Sequence, residues 1–313
     1  MRFSIYQESR TGGRRINQDR MGYLYTRDSL LMLLADGMGG HARGEIAAQA
    51  ALQTIAAIYQ REAERGIAEP ARFLQEAVLA AHRDLHRLRV EEGLPEVPRT
   101  TVVVCLVQRG VVTWAHVGDS RLYQIRNGRI VRRTIDHSRV HSLIAAGLLK
   151  PEDARNHPER NRIFNCLGAH VLPTVEVGGP FALRHGDTLL LCSDGLWAPL
   201  ADRDIAGAFV DQTVMRAVPE LVDAALTKSA GEADNCTGLA MTWAAAESIE
   251  MLPPDAAPVS TLQVPVGAVT SSLRLPRAGE PVADTELTDA QIDDAVAEIQ
   301  RAIQRTAKLV EGK

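Results

Sequence analysis

The sequence predicts an α+β layered fold in which two β-sheets are covered by helices, and three observations carry that reading. Aliphatic runs such as LLMLLA (30–35) and LLLCS (189–193) have the length and composition of buried strands. Residues 42–66 are alanine-rich with apolar positions at helical spacing, and residues 71–92 read as a second long helix. Residues 100–133 read as a strand meander with turns at Gln108-Arg109-Gly110, Gly118-Asp119 and Asn127-Gly128. Strands and helices do not alternate in a βαβ rhythm, so stacked sheets with outer helices fit better than a parallel sheet.

The remaining elements follow in order. Residues 21–36 predict two short strands around a turn, and the mostly polar residues 136–170 hold a short helix near His141 to Ala146. GDTLLLCSDGLW (186–197) predicts a buried strand ending in an acid, PELVDAALTKSA (219–230) a helix and DNCTGLAMTWAA (234–245) a last strand. Residues 1–248 read as one domain. Residues 249–287 are proline-rich without sustained periodicity, a flexible linker. Residues 288–313 predict an amphipathic helix, opened by Thr288 as N-cap with Gln291 at the capping-box position. Its Ile292, Val296, Ile299, Ile303, Thr306 and Val310 form a short heptad seam. That seam suits a helix packing back on the domain in a monomer, or a weak dimer.

Composition narrows the function. The chain has 313 residues with a net charge of -4, a bulk balance that disfavours nucleic acid as partner. No apolar run approaches the roughly 20 residues of a membrane span, and the start MRFSIYQESR has no signal-peptide core. Cys105, Cys166, Cys192 and Cys236 are far apart, with no CxxC pair, and read as buried free thiols. These features together predict a cytoplasmic protein with no membrane attachment.

The chemistry lies in acids at strand ends. Asp36 follows LLMLLA and Asp194 follows LLLCS, each preceding a glycine; Asp119 follows TWAHVG. Asp234 stands at the start of a strand, and Asp19 sits in NQDR just before another. Any one of them alone reads as a turn residue. Taken together, converging carboxylates would repel unless cations sat between them. Oxygen-only ligands favour Mg²⁺ or Mn²⁺, and the neighbouring glycines allow close backbone approach.

The ordered stretches GGRRINQDR (12–20), LLADGMGGHARGE (33–45), TTVVVCL (100–106), AHVGDSRLYQIRNG (115–128), DHSRVHSLIAAG (136–147), HPERNRIFNCLG (157–168), GDTLLLCSDGL (186–196) and DNCTGLAM (234–241) carry a resemblance. In their order and spacing the chain resembles the metal-dependent serine/threonine protein phosphatases of the PPM (PP2C) family, bacterial type, over about residues 4–245. The resemblance implies a four-layer α-β-β-α sandwich with two central antiparallel sheets. It implies two tightly held Mn²⁺ or Mg²⁺ ions and a third, weaker one. Asp36, Asp194 and Asp234 would be metal ligands, with Asp36 bridging and the Gly37 carbonyl contributing. Asp19 would act through a metal-bound water, and Asp119 with Asp194 would hold the third ion.

Arg14 stands where the family places its phosphate-binding arginine, with Arg15 as the neighbouring alternative. The implied reaction is hydrolysis of phosphoserine and phosphothreonine in proteins by in-line attack of a metal-bridging water or hydroxide. A cognate Ser/Thr kinase would supply those substrates. Animal-type members carry a histidine directly after the DG pair, where this chain has Met38. The acid that protonates the leaving group is therefore open between His41 and water near Asp119. Residues 137–167, including Ser138, Arg139, His157, Arg160 and Arg162, match the family's flap beside the cleft, a substrate-binding segment. No CxxxxxR loop surrounds Cys192, so a cysteine-nucleophile phosphatase is disfavoured.

Overall fold

β3 (Ser29–Asp36) lies at the heart of the molecule, and its composition explains its place. Leu30, Met32 and Leu34 enter the core between two sheets, while Leu31, Leu33 and Ala35 alternate to the opposite face and are equally buried. A strand covered on both faces reads as a continuous apolar run, as LLMLLA does. On one side β3 pairs with β2 (Asp19–Tyr25) and on the other with β4 (Val102–Gln108). β5 (Val111–Val117) and β8 (Glu176–Ala182) complete that side of the sheet. The second sheet has the order β1 (Arg2–Arg10), β10 (Cys236–Ala244), β9 (Thr188–Cys192), β6 (Arg121–Arg126), β7 (Arg129–Arg133). All pairings are antiparallel.

Helices α1 (Gly44–Ala63) and α2 (Pro70–Glu91) cover the β3 sheet, with Tyr59 of α1 bonded through its hydroxyl to Ser29 at 2.7 Å. α3 (Arg139–Ala145) stands apart from these layers, followed by a 3₁₀ turn at Pro151–Asn156. α4 (Asp194–Trp197), α5 (Asp202–Gly207) and α6 (Val214–Lys228) cover the outer face of the second sheet through Leu196, Ile205, Val218 and Val222. The result is the α-β-β-α sandwich. This computed structural model describes residues 1–38, 43–63, 66–160, 162–230, 233–244 and 270–271. The described residues belong to one compact unit.

The structure refines several expectations. The meander of residues 100–133 is two hairpins in different sheets: β5 pairs with β4 and β8, whereas β6 pairs with β7 and β9. The chain crosses between sheets at Gly118-Asp119. α6 begins at Val214 and contains Pro219 within it, because the apolar face of Val214, Ala217, Val218 and Leu221 outweighs the proline's missing N–H. Within the expected linker, β11 (Thr270–Ser271) pairs with Leu24 and Tyr25 of β2. The other linker residues and the helix expected at 288–313, with its dimer seam, lie outside the described residues. The four cysteines are free and buried. No described helix is long and apolar enough to cross a membrane.

Candidate functional site

Antiparallel pairing brings the predicted acids to one end of the sandwich. β2 begins at Asp19 and β3 ends at Asp36, and their register sets these two residues directly opposite each other. The Asp36 backbone is pinned: its carbonyl accepts from Thr101 N and from Thr100 Oγ1, both at 2.8 Å. Beyond it, a Cβ on Gly37 would stand 2.2 Å from the Gly44 carbonyl oxygen and 2.9 Å from that of Gln18. Only a glycine lets the first turn of α1 dock against this strand end. Gly37→Ala is therefore expected to cost about 1–3 kcal/mol in denaturant unfolding, because backbone rather than a flexible side chain must give way. An unchanged unfolding midpoint would refute this packing argument.

The other sheet supplies Asp194 and Asp234 at the same end, since β9 and β10 run antiparallel. Asp194 opens α4, separated from β9 by Ser193 alone, and Asp234 is separated from the start of β10 by Asn235 alone. A Cβ on Gly195 would lie 2.2 Å from the Asn235 carbonyl oxygen, so the two acid-bearing turns are in backbone contact. Asn235 then staples residues 11–18 onto this corner. Its Nδ2 donates to the carbonyls of Thr11 (2.9 Å) and Ile16 (3.1 Å), and its Oδ1 accepts from Gln18 N (2.8 Å). Within that loop, Arg14 donates from Nε and Nη2 to both Asp234 oxygens, at 2.8 and 2.6 Å. Its side chain remains 59% exposed at the cleft edge.

Asp119 sits in the crossover between β5 and β6. Its carbonyl accepts from Trp197 Nε1 at 3.0 Å, and the Trp197 ring lies under the Arg121 guanidinium, 3.4 Å from the ring centre. Arg121 in turn donates to both oxygens of Asp136, at 2.8 and 2.7 Å. On the other side Ser120 Oγ meets Thr101 Oγ1 at 2.7 Å, which links this turn to the residue that pins Asp36.

Electrostatics mark the cluster as one site. Burial raises the Asp36 carboxyl well above the ordinary range, reinforced by repulsion from Asp19, Asp194, Asp119 and Asp234. Asp19 is raised to about 7, by burial and then by Asp194 and Asp234, against hydrogen bonds from Thr237 and Ser193. Asp194 is raised to about 6, chiefly by burial and Asp234. Asp119 is raised by burial and by Asp194. Asp19 Oδ2 accepts from Ser193 Oγ at 2.7 Å, but its Oδ1 is buried without a partner. An orphaned carboxylate oxygen among mutually repelling acids is what a divalent cation would relieve, and an all-oxygen donor set suits Mg²⁺ or Mn²⁺.

His41 lies outside the described residues. The segment 137–167 is anchored at its root: Arg139 N donates to Arg162 O (2.8 Å) and Phe164 N to His137 O (3.1 Å). Ser138 caps α3. Arg139, Ser142, Glu159, Arg162 and Phe164 line a cavity of about 450 Å³, with Arg162 paired to Glu159. Asn235, Ser193 and Trp197 support the site through hydrogen bonds to backbone and to Asp19, and escape a reading by residue chemistry because none is a carboxylate. Their signal is adjacency: each lies within three residues of a site aspartate.

Comparison with known proteins identifies the family. The family profile described as Protein phosphatase 2C matches residues 7–229. The serine/threonine phosphatase stp of Listeria monocytogenes (serotype 4b) is 33% identical over 245 residues, covering 75% of this chain and 94% of its own. The crystal structure of the Mycobacterium tuberculosis serine/threonine phosphatase PstP/Ppp superposes with a TM-score of 0.68 at 32% identity, over 78% of this chain and 99% of that one. A second structure, the PstP catalytic domain with two manganese ions, gives a TM-score of 0.66 at 31% identity, with the same coverage of 78% and 99%. With the profile spanning most of the chain and the acids gathered at one end of the sandwich, this chain belongs to the protein phosphatase 2C family.

Proposed function

We propose that the protein hydrolyses phosphoserine and phosphothreonine in phosphorylated proteins, in a reaction that depends on divalent cations. The observation that carries this is the gathering of Asp19, Asp36, Asp119, Asp194 and Asp234 at one end of the sandwich, where desolvation and mutual repulsion raise the carboxyls of Asp19, Asp36, Asp119 and Asp194. Asp36, Asp194 and Asp234, with the Gly37 carbonyl, would hold two Mn²⁺ or Mg²⁺ ions, Asp19 acting through water. Asp119 with Asp194 would hold a third, weaker one. Such cations, when bound, supply Lewis acidity that activates water near neutral pH and offset phosphate charge.

The chain's own residues do the rest. Arg14 donates from Nε and Nη2 to Asp234, while its largely exposed guanidinium keeps further N–H donors that can take phosphoryl oxygens and orient the phosphorus. Ser193 fixes Asp19 through one oxygen and leaves the other facing the cluster's charge. The thiol of Cys192 is buried and pushed up by desolvation, which supports direct hydrolysis over a thiolate nucleophile. Arg14→Ala is expected to lower kcat/KM about 10²-fold, the size of losing one preorganised donor to a charged transition state. Steady-state kinetics on a phosphopeptide would check this, and wild-type values would remove Arg14 from the site.

A Ser/Thr kinase acting on the same proteins is the natural partner, and the buried free thiols favour a reducing compartment, the cytoplasm. The direct test is phosphate release from a phosphothreonine peptide with Mn²⁺, with Mg²⁺ and with chelator. Release with either cation and none with chelator is expected. Undiminished release in chelator would overturn the proposal.

A further inference from the structure

Outside the aspartate cluster, His116, His137 and Glu176 bring three ligand-type atoms within 4.8 Å of one another. The hydrogen bonds of His137 argue against a cation there. His137 Nδ1 accepts from Gly118 N–H at 3.2 Å, and Asn165 Nδ2 stands 2.7 Å from it. Asn165 cannot turn its oxygen inward, because it is locked on the Thr174 backbone: Nδ2 donates to Thr174 O (2.7 Å) and Oδ1 accepts from Thr174 N (3.2 Å). A neutral His137 with Nδ1 accepting carries its proton on Nε2, which faces Glu176 Oε2 at 3.4 Å. A nitrogen holding a proton offers no lone pair to a metal.

The same bonds assign His137 another task. It grips the Asp119 turn twice: His137 N donates to Gly118 O at 3.0 Å while Gly118 N donates to its ring. Its own carbonyl accepts from Phe164 N at 3.1 Å, at the far root of the flap. Its ring is stacked on His116, with centroids 4.7 Å apart, so the ring has little freedom to leave. Gly118 itself cannot be replaced as an anchor by a side chain, since a Cβ there would lie 2.6 Å from Thr101 Cβ at φ +110. We infer that His137 is a positioning residue: by clasping Gly118 while holding the flap root, it sets the placement of Asp119 and so the affinity of the weak cation site. The inference rests on the assignment of Asp119 to that site.

The test is equilibrium Mn²⁺ binding to the full chain, read from the electron paramagnetic resonance of free Mn²⁺, for wild type, Asp119→Ala, His137→Ala and His137→Asn. Asp119→Ala should abolish the weak site. His137→Ala should weaken it about tenfold or more, the scale for removing a group that orients a ligand, with the tight sites unchanged. His137→Asn, whose Oδ1 can accept from Gly118 N–H, should stay within about threefold of wild type. Amide exchange at Gly118 should quicken in the alanine variant and not in the asparagine one. A weak site intact in His137→Ala but lost in Asp119→Ala overturns the inference alone. A weak site intact in Asp119→Ala overturns the Asp119 assignment beneath it. Equal weakening of every site in His137→Ala would mark a merely structural role. If the alanine variant does not fold, a folded His137→Asn that loses the weak site is equally contrary.

Discussion

Asp36→Asn is expected to abolish turnover while leaving the fold intact. Removing a group that merely orients a metal ligand costs about 10–100-fold, so removing the proposed bridging ligand itself should cost about 10³-fold or more in kcat/KM. The fold should not suffer, because hydrogen bonds from Thr100 and Thr101 hold the Asp36 backbone, and an asparagine leaves them in place. The substitution also removes a carboxyl that Asp19, Asp194, Asp119 and Asp234 all repel. The cation-free variant should therefore melt at or above the wild-type temperature. Catalysis and stability would move in opposite directions, which a general folding defect cannot produce. A rate within about tenfold of wild type would remove Asp36 from the metal centre.

The second large effect is a pH-dependent stability that cations reverse. Asp19 and Asp194 have carboxyls raised in the folded state, to about 7 and about 6. A folded state that binds protons more tightly than the unfolded chain loses stability as pH rises. That contribution is fully present below the unfolded value of about 4 and is lost as pH climbs through about 6 to 7. Other groups titrate in the same window, so the comparison is with Asp19→Asn, which lacks the proton-dependent term. Without cations, the variant's stability advantage over wild type should be smallest near pH 4 and grow up to pH 7. Mn²⁺ at about 100 times its dissociation constant should add about 2.7 kcal/mol to the wild type at pH 7.5. It should add much less at pH 5, where protons compete for the same carboxylates. Thermal melts at those pH values, with and without Mn²⁺, read both effects. An advantage for Asp19→Asn that shrinks with rising pH would refute the assignment of burial and repulsion at this site.

Much of this was legible in the sequence because strand ends carry the chemistry. LLMLLAD and LLLCSD each announce a buried strand and the acid that leaves it, and the fold needs only to align their ends. What the sequence did not reveal depends on pairing between distant residues. The strand β1 is half-buried along its length and pairs with β10, so its nine residues show no apolar run. β8, with EVGGPFA, hides a strand behind two glycines and a proline. The transfer from one sheet to the other at Gly118-Asp119 looked like an ordinary hairpin turn, because a turn sequence does not say which strand comes next in the sheet. Arg14 was singled out by the family resemblance, which did not reveal its bidentate pairing with Asp234, 220 residues away. His137 was legible only as one end of the flap segment, since its partners Gly118, Asn165 and Glu176 are remote in sequence.

The aspartates at this end of the sandwich are expected to hold divalent cations. Anomalous diffraction from crystals grown with Mn²⁺, collected at the manganese absorption edge, tests this most directly. Strong peaks are expected between Asp36, Asp194, Asp234 and the Gly37 carbonyl, with a weaker peak beside Asp119. Peaks confined to His116, His137 and Glu176, or none near Asp36, would contradict this assignment.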